Sequence, residues 1–389
     1  MAQSKRILEY PNEPDRQSLS ALLVRKNAPF NAEPTPPDLV KNYITPIQYF
    51  FCRSHGPIPD LQDDHTFVIN GLGVRGKEQT WSVKDIKQKY DKKYVMMAMQ
   101  GNRRDGLHRV KHTKGVIWGP CAIGNGVYAG CRLKDVLESV GVTKDLPDLG
   151  RLHCEEDVCY GSSIPLTKAL GVSLGLALIN TATTYRDPFG DVLLAYEMNG
   201  EPLTRDHGHP LRVVVPGYIG ARSVKFLKSI TIQGFESEAF YQRRDYKILP
   251  QHAKKEDQAE LFWSKMPSIG EYNVQSYVCD PADGLHSGQT KNQVVQGYAL
   301  SDSLLDVSGN DGKTWVEASL YQPAADGKAT HVWGWCTWTA RVDTVDNVRI
   351  VCRAVDSSGN IQQEQPVWNY RGVMNNSWRT ADKRPDAVL

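Results

Sequence analysis

Basic side chains crowd one short stretch of this chain. Between Asp206 and Lys228 it reads Asp-His-Gly-His-Pro-Leu-Arg-Val-Val-Val-Pro-Gly-Tyr-Ile-Gly-Ala-Arg-Ser-Val-Lys-Phe-Leu-Lys. His207, His209, Arg212, Arg222, Lys225 and Lys228 flank the apolar run Val213–Val215. An apolar run bounded by turn residues predicts a buried strand. Pro216, Gly217 and Gly220 close it with a loop whose backbone can approach a ligand. Unpaired buried cations are costly, so donors at this density need an anion. Arg presents a planar fork suited to phosphate, and Lys a point charge. The competing reading is a strand with solvated basic flanks, because charge runs are common on surfaces.

The elements that must position these groups are legible in outline. With 389 residues, the chain has room for about two or three domains. Residues 1–40, rich in Pro, Asn, Asp and Glu, predict an extended N-terminal arm. His65–Leu72 and Val95–Gln100 read as strands, and Trp81–Tyr90 and Leu133–Val140 as helices. After Trp263 short alternating runs recur: Tyr272–Cys279, Gln293–Leu300, Trp315–Ser319, His331–Ala340 and Val348–Val355. Turn residues such as Asp280-Pro281 and Asn310-Asp311-Gly312 separate them, which predicts an all-β sandwich. The expected class is α+β: a mixed α/β domain over 41–262, then the sandwich over 263–389.

Bulk properties narrow the partners. A net charge of +2 and a pI near 8.0 give no global pull toward nucleic acid or membrane. No apolar run approaches the roughly 20 residues of a membrane span. The N-terminus lacks the apolar core of a signal peptide, and the C-terminal Asp-Ala-Val-Leu is not a peroxisomal address. The eight cysteines are scattered, with no zinc-like Cys-x-x-Cys pair, and read as reduced thiols. A cytoplasmic location is expected, with the peroxisome or the mitochondrial intermembrane space as alternatives.

The run His-Gly-x-Pro-Leu-Arg-Val-Val-Val-Pro-Gly-x-x-Gly-Ala-Arg-Ser-Val-Lys resembles the molybdopterin-binding core of the sulfite oxidase family. Leu193–Leu203 upstream, Trp118–Gly130, Phe51-Cys52-Arg53-Ser54-His55 and Trp368–Val373 resemble other landmarks, so the similarity spans most of the chain. It implies a molybdenum–molybdopterin cofactor without haem or flavin, and an immunoglobulin-like C-terminal domain that forms a homodimer. It assigns Arg53, Arg104 and Tyr246 to the substrate pocket. It assigns Phe51, Cys52, Arg53, Ser54, His55, His207, Arg212, Ser223, Val224 and Lys225 to the cofactor. Ser54 stands where Asn is usual. The implied reaction is oxidation of sulfite to sulfate by oxygen-atom transfer. There is no haem-domain His-Pro-Gly-Gly motif and no flavin- or nicotinamide-binding region. The resemblance is therefore to the haem-free type, with dioxygen or an external acceptor taking the electrons.

The family holds molybdenum through one Cys in Gln-Cys-Ala-Gly-Asn-Arg-Arg. Here Met99-Gln100-Gly101-Asn102-Arg103-Arg104 stands, so the expected metal ligand is missing between Gln100 and Gly101. Met is a weak neutral ligand, not a thiolate. Losing Cys-Ala would shorten the turn by about 6–7 Å of extended chain. Gly171–Arg186 has no family counterpart, and Asp302–Gly309 is shorter than the segment it replaces. Some of these departures read as splicing or gene-model errors. Two alternatives to sulfite oxidation follow: a pterin-binding pseudoenzyme, and a nitrate reductase-like enzyme. Ala221, where nitrate reductases tend to carry Gly, favours the sulfite side over the latter.

Overall fold

A computed structural model describes residues 9–101, 103–143, 151–156, 160–171, 191–284, 288–301, 303–323 and 329–379. Apart from Gly171, the atypical 171–186 segment lies outside them, as do Asn102, Cys159 and Asp302.

The strand that leads into the site is Lys93–Gln100, Lys-Tyr-Val-Met-Met-Ala-Met-Gln, apolar on both faces. It therefore lies inside a sheet, between Ile123–Arg132 (antiparallel) and Ala329–Trp333 (parallel). Side chains alternate across a strand. Val95, Met97 and Met99 accordingly share one face with Phe50, Phe51, Tyr128 and Val214. Ala98 faces the other way, toward Leu39, Cys121, Ile123 and Tyr298. Arg212–Val214 completes this layer by pairing with Leu193–Met198, so the anticipated strand forms one residue earlier than its apolar run.

A second sheet runs Glu78–Ser82, Thr66–Gly71, Leu227–Gln233, Arg151–Glu156, Gly161–Pro165. The main core lies between these sheets and the helices Val83–Lys89 and Leu133–Ser139, and includes Ile69, Ile86, Leu137, Leu152, Val213 and Ile230. The first of these helices is shorter than expected. Ser82 caps it in a reciprocal box with Asp85, which fixes its start, and the preceding residues pair as a strand.

Toward the C-terminus, a four-stranded sheet (Gln275–Asp280, Gln293–Leu300, Cys336–Val342, Ser319–Tyr321) and a three-stranded one (Val316–Glu317, Leu304–Ser308, Val351–Val355) share a core of Val278, Val295, Leu305, Val307, Trp338 and Ala354. The expected strand His331–Ala340 is two strands. It breaks at Gly334, where a Cβ would stand 2.7 Å from Asn125 Oδ1. The part before the break joins the first sheet, and the part after it joins the sandwich.

A small sheet of Leu23–Lys26, Asn31–Glu33 and Cys52–Arg53 brings N-terminal residues against the site. Glu33 is fully buried. Its carboxylate accepts from Arg25 Nε (2.6 Å), Gly119 N (2.6 Å) and Cys121 N (2.9 Å), fastening this sheet to the 119–121 loop.

Candidate cofactor and anion site

Four segments converge on one cavity: the Cys52–Arg53 strand, the turn after Gln100, the 206–225 stretch, and Tyr246 with the 372–375 loop. The turn is tight. Gly101 N donates to Ala122 O (2.9 Å) and Arg103 N to Gly119 O (2.7 Å), and Arg103 takes a left-handed conformation (φ 64°) before the helix Arg104–Val110 begins. Gly220 passes so close that a Cβ there would sit 3.0 Å from Gln100 O. Backbone approach at Gly220 thus serves this packing.

Of the six basic groups in the 206–228 stretch, His207, Arg212 and Lys225 line the cavity. His209 turns to Asp63 (3.6 Å), Lys228 is exposed, and Arg222 is buried behind the wall, bonded to Ile269 O and Ser162 Oγ. Arg212 is buried without a carboxylate among its hydrogen-bond partners, and burial lowers its pKa. It donates to His207 O (2.8 Å), Ser223 O (3.0 Å) and Met99 Sδ (3.2 Å), while its Nε makes no hydrogen bond. His207 is bonded through Nδ1 to Thr204 Oγ1 (2.7 Å), and its buried Nε2 has no partner. Burial, then Lys225 and Arg212, hold its pKa down at about 3, so the ring is neutral. Lys225 Nζ bridges Arg53 O and Asp206 O (2.9 Å each), which ties two of the segments together. Ser223 and Val224 also line the cavity, and Ser223 Oγ accepts from Val215 N (3.0 Å).

Phe51, Arg53 and His55 face inward. Cys52 and Ser54 do not line the cavity, because the extended backbone puts alternate residues on opposite sides. Cys52 packs with Leu19, Leu22, Phe30 and Ala32, and burial drives its thiol pKa up. The Ser54 side chain meets a 3.5 Å contact from Lys225, and its carbonyl accepts from Arg53 Nη1 (2.6 Å).

Arg104 is buried, and its pKa falls to about 10 through burial and then the charges of Arg371 and Arg53. Tyr246 Oη lies 3.0 Å from His55 Nε2. His55 stacks on Tyr160 and meets Tyr241 edge-on, at 4.4 and 4.3 Å between ring centres, and burial keeps it neutral. Two participants escaped the sequence reading. Tyr160 lines the cavity and donates to Ala221 O (2.6 Å). Arg371 converges with Arg104 on Gly115 and pairs with Asp245 at 2.8 Å. It lies inside the run Trp368–Val373, read as a landmark of the second domain, without being assigned to the site.

The donors fit a phosphorylated, hydrogen-bonding ligand: a buried guanidinium with a spare Nε, an orphaned imidazole nitrogen and a lysine. They do not fit a thiolate-ligated metal. Among the described residues, the cavity-lining sulfurs are the thioethers of Met99 and Met374, and no described cysteine lines it. Cys121 packs on the opposite face of the sheet from Met99. Among the described residues, no cluster of three or more His, Cys, Asp or Glu is placed to hold a metal, and no helix is long and apolar enough to cross a membrane.

Residues 55–241 match the oxidoreductase molybdopterin binding domain, and residues 266–382 the Mo-co oxidoreductase dimerisation domain. Sulfite oxidase of Arabidopsis thaliana is 37% identical, covering 95% of each chain. Mitochondrial sulfite oxidase of Rattus norvegicus is 37% identical over 95% of this chain, which spans 66% of that protein. The sulfane dehydrogenase SoxCD of Paracoccus pantotrophus shares the fold, with a TM-score of 0.71 and 21% identity over 98% of this chain and 94% of that one. The expected cytoplasmic location is corrected by these relatives. The rat, mouse and human proteins are all named mitochondrial, which favours that compartment over the cytoplasm.

Proposed function

We propose, since the chain belongs to the sulfite oxidase family of molybdopterin oxidoreductases, that its cavity binds the pterin cofactor and a sulfur oxyanion but turns sulfite over poorly. One observation carries this reading. The basic cradle is built, yet the sulfur it presents at the turn is Met99's thioether, held by Arg212, and among the described residues no lining residue is a cysteine. A thioether cannot supply the negative charge that a soft thiolate gives a metal.

In this reading Arg212, Lys225 and His207 hold the pterin and its phosphate. Phe51 and Val224 wall it, and Ser223 fixes the loop that carries it. Arg53 and Arg104 attract the oxyanion, and the positive charge they concentrate favours a dianionic product. Tyr246, set by His55, presents its hydroxyl as a hydrogen-bond donor to the substrate side. The loaded cofactor supplies two-electron oxygen-atom chemistry, and the protein supplies orientation and charge. The electrons pass to dioxygen or to an external acceptor. The chain divides into an arm (1–40), a pterin-binding domain (41–262) and a dimerisation domain (263–389), and the dimerisation-domain match supports a homodimer.

The test is to produce the chain in a host that makes the cofactor and to measure bound pterin, molybdenum and sulfite turnover together. Bound pterin with slow turnover is the expected result. Fast turnover by this sequence would overturn the impaired-enzyme reading.

A further inference from the structure

Arg53 and Arg104 line the cavity, Arg371 lies close to Arg104 behind them, and the three guanidiniums are held differently. Arg371 leans on a carboxylate, Asp245. Arg104 donates to a carbonyl, Val116 O (2.8 Å). Arg53 is held by a residue outside the cavity lining, Asn31.

Asn31 is fully buried and stands directly opposite Arg53 in the antiparallel pairing of Asn31–Glu33 with Cys52–Arg53. Its carboxamide is used on both sides. Oδ1 accepts from Arg53 Nη1 (3.0 Å) and Ser54 N (3.2 Å), and Nδ2 donates to Pro29 O (2.7 Å) and Ser54 O (3.3 Å). Arg53 Nη1 is also bonded to Ser54 O (2.6 Å), so this nitrogen is saturated from behind. Among the described residues neither Nε nor Nη2 has a hydrogen-bond partner, which leaves both for whatever enters the cavity. The amide group matters here because it is neutral. A carboxylate at the same place would grip the guanidinium and cancel its charge, as Asp245 partly does for Arg371. A carboxamide fixes direction and leaves the charge intact.

We infer that Asn31 is a positioning residue that aims Arg53 at the oxyanion while keeping its full positive charge. The inference rests on the oxyanion reading of the previous subsection, and the experiment separates the two. Sulfate is the probe, because it is redox-inert and its binding can be followed by titration calorimetry on the full chain without turnover. In the wild type, sulfate binding tests the oxyanion reading. Its absence there would overturn that reading and this inference with it.

If the wild type binds, Asn31→Asp is expected to weaken sulfate about tenfold or more at pH 8, the worth of one charged hydrogen bond. Affinity should return toward wild type as the pH falls and the new carboxyl becomes neutral. Lys225, His55 and Arg104 lie close to Arg53, and Arg371, Asp245 and Tyr246 lie close to Arg104. Each variant is therefore compared with the wild type at the same pH, so that their titration cancels. Unchanged affinity at pH 8, or a loss that acid does not reverse, would overturn the inference. Should Asn31→Asp fold poorly, Asn31→Ser keeps an acceptor. It is expected to weaken sulfate several-fold alone and to add nothing in combination with Arg53→Gln. Additive losses would show that Asn31 does not act through Arg53.

Discussion

Replacing Arg212 by Met separates a binding role from a structural one. Arg212 is 3% exposed, and its hydrogen bonds go to two carbonyls and one thioether. Holding a guanidinium there without a carboxylate costs several kcal/mol, as for any buried ion. Its hydrogen bonds to His207 O and Ser223 O return about 1.5–3 kcal/mol each. Methionine has a similar reach, removes the buried charge and abandons the two carbonyls. The gains and losses nearly cancel, so the cofactor-free protein should unfold within about 2 kcal/mol of the wild type. Cofactor binding should behave differently. Losing one partner of a buried, hydrogen-bonded charge pair costs about 2–5 kcal/mol, roughly 30- to 4000-fold in affinity. The assay pairs denaturant unfolding of the cofactor-free protein with pterin content after production in a cofactor-making host. A variant with normal pterin content and a severely weakened fold would refute the assignment of Arg212 to the ligand.

Reinserting Cys-Ala after Gln100 should raise sulfite turnover about a hundredfold or more, since a direct ligand should outweigh the 10–100-fold typical of outer contacts; unchanged turnover under steady-state assay would show that the turn is not the defect. His207 is protonated only near pH 3 when folded, against about 6.5 when unfolded, so the unfolded chain binds the extra proton between those values. Stability should therefore fall as the pH is lowered from about 6.5 toward about 3, and His207→Gln should flatten the slope by up to about 1.4 kcal/mol per pH unit in acid-series denaturation. An identical slope in the variant would contradict the buried neutral assignment. Glu33→Ala strands Gly119 N, Cys121 N and Arg25, and should cost about 3–5 kcal/mol in denaturant unfolding; a loss below about 1 kcal/mol would mean that the N-terminal sheet does not brace the 119–121 loop.

Much of the site was legible because it is local. Arg212, Ser223, Val224 and Lys225 sit within one strand-and-loop stretch, and its apolar centre predicts which part is buried. Other parts depend on facing and on distance. The run from Phe51 to His55 reads as five equivalent residues, but extended backbone sends Cys52 and Ser54 away from the cavity. Arg222 belongs to the same basic cluster by spacing, yet its partners are Ser162 and Ile269, far away in the chain. Asn31 and Tyr160 carry no local signal at all, and Arg371 lies in a recognised run that gave no hint of its place at the site. Each matters only because a sheet pairing, a ring stack or a convergence on Gly115 brings it to the site. The broken strand at Gly334 failed for a related reason, since a glycine in an alternating run is punctuation only when something packs against it.

The central claim is that a buried basic cradle, with Arg212 at its base, binds a phosphorylated pterin whether or not the turn supplies a thiolate. The direct measurement is the pterin released on denaturing chain produced in a host that makes the cofactor, for this sequence and for its Cys-Ala-repaired form. Near-stoichiometric pterin from both is predicted, whereas two pterin-free preparations would contradict the claim.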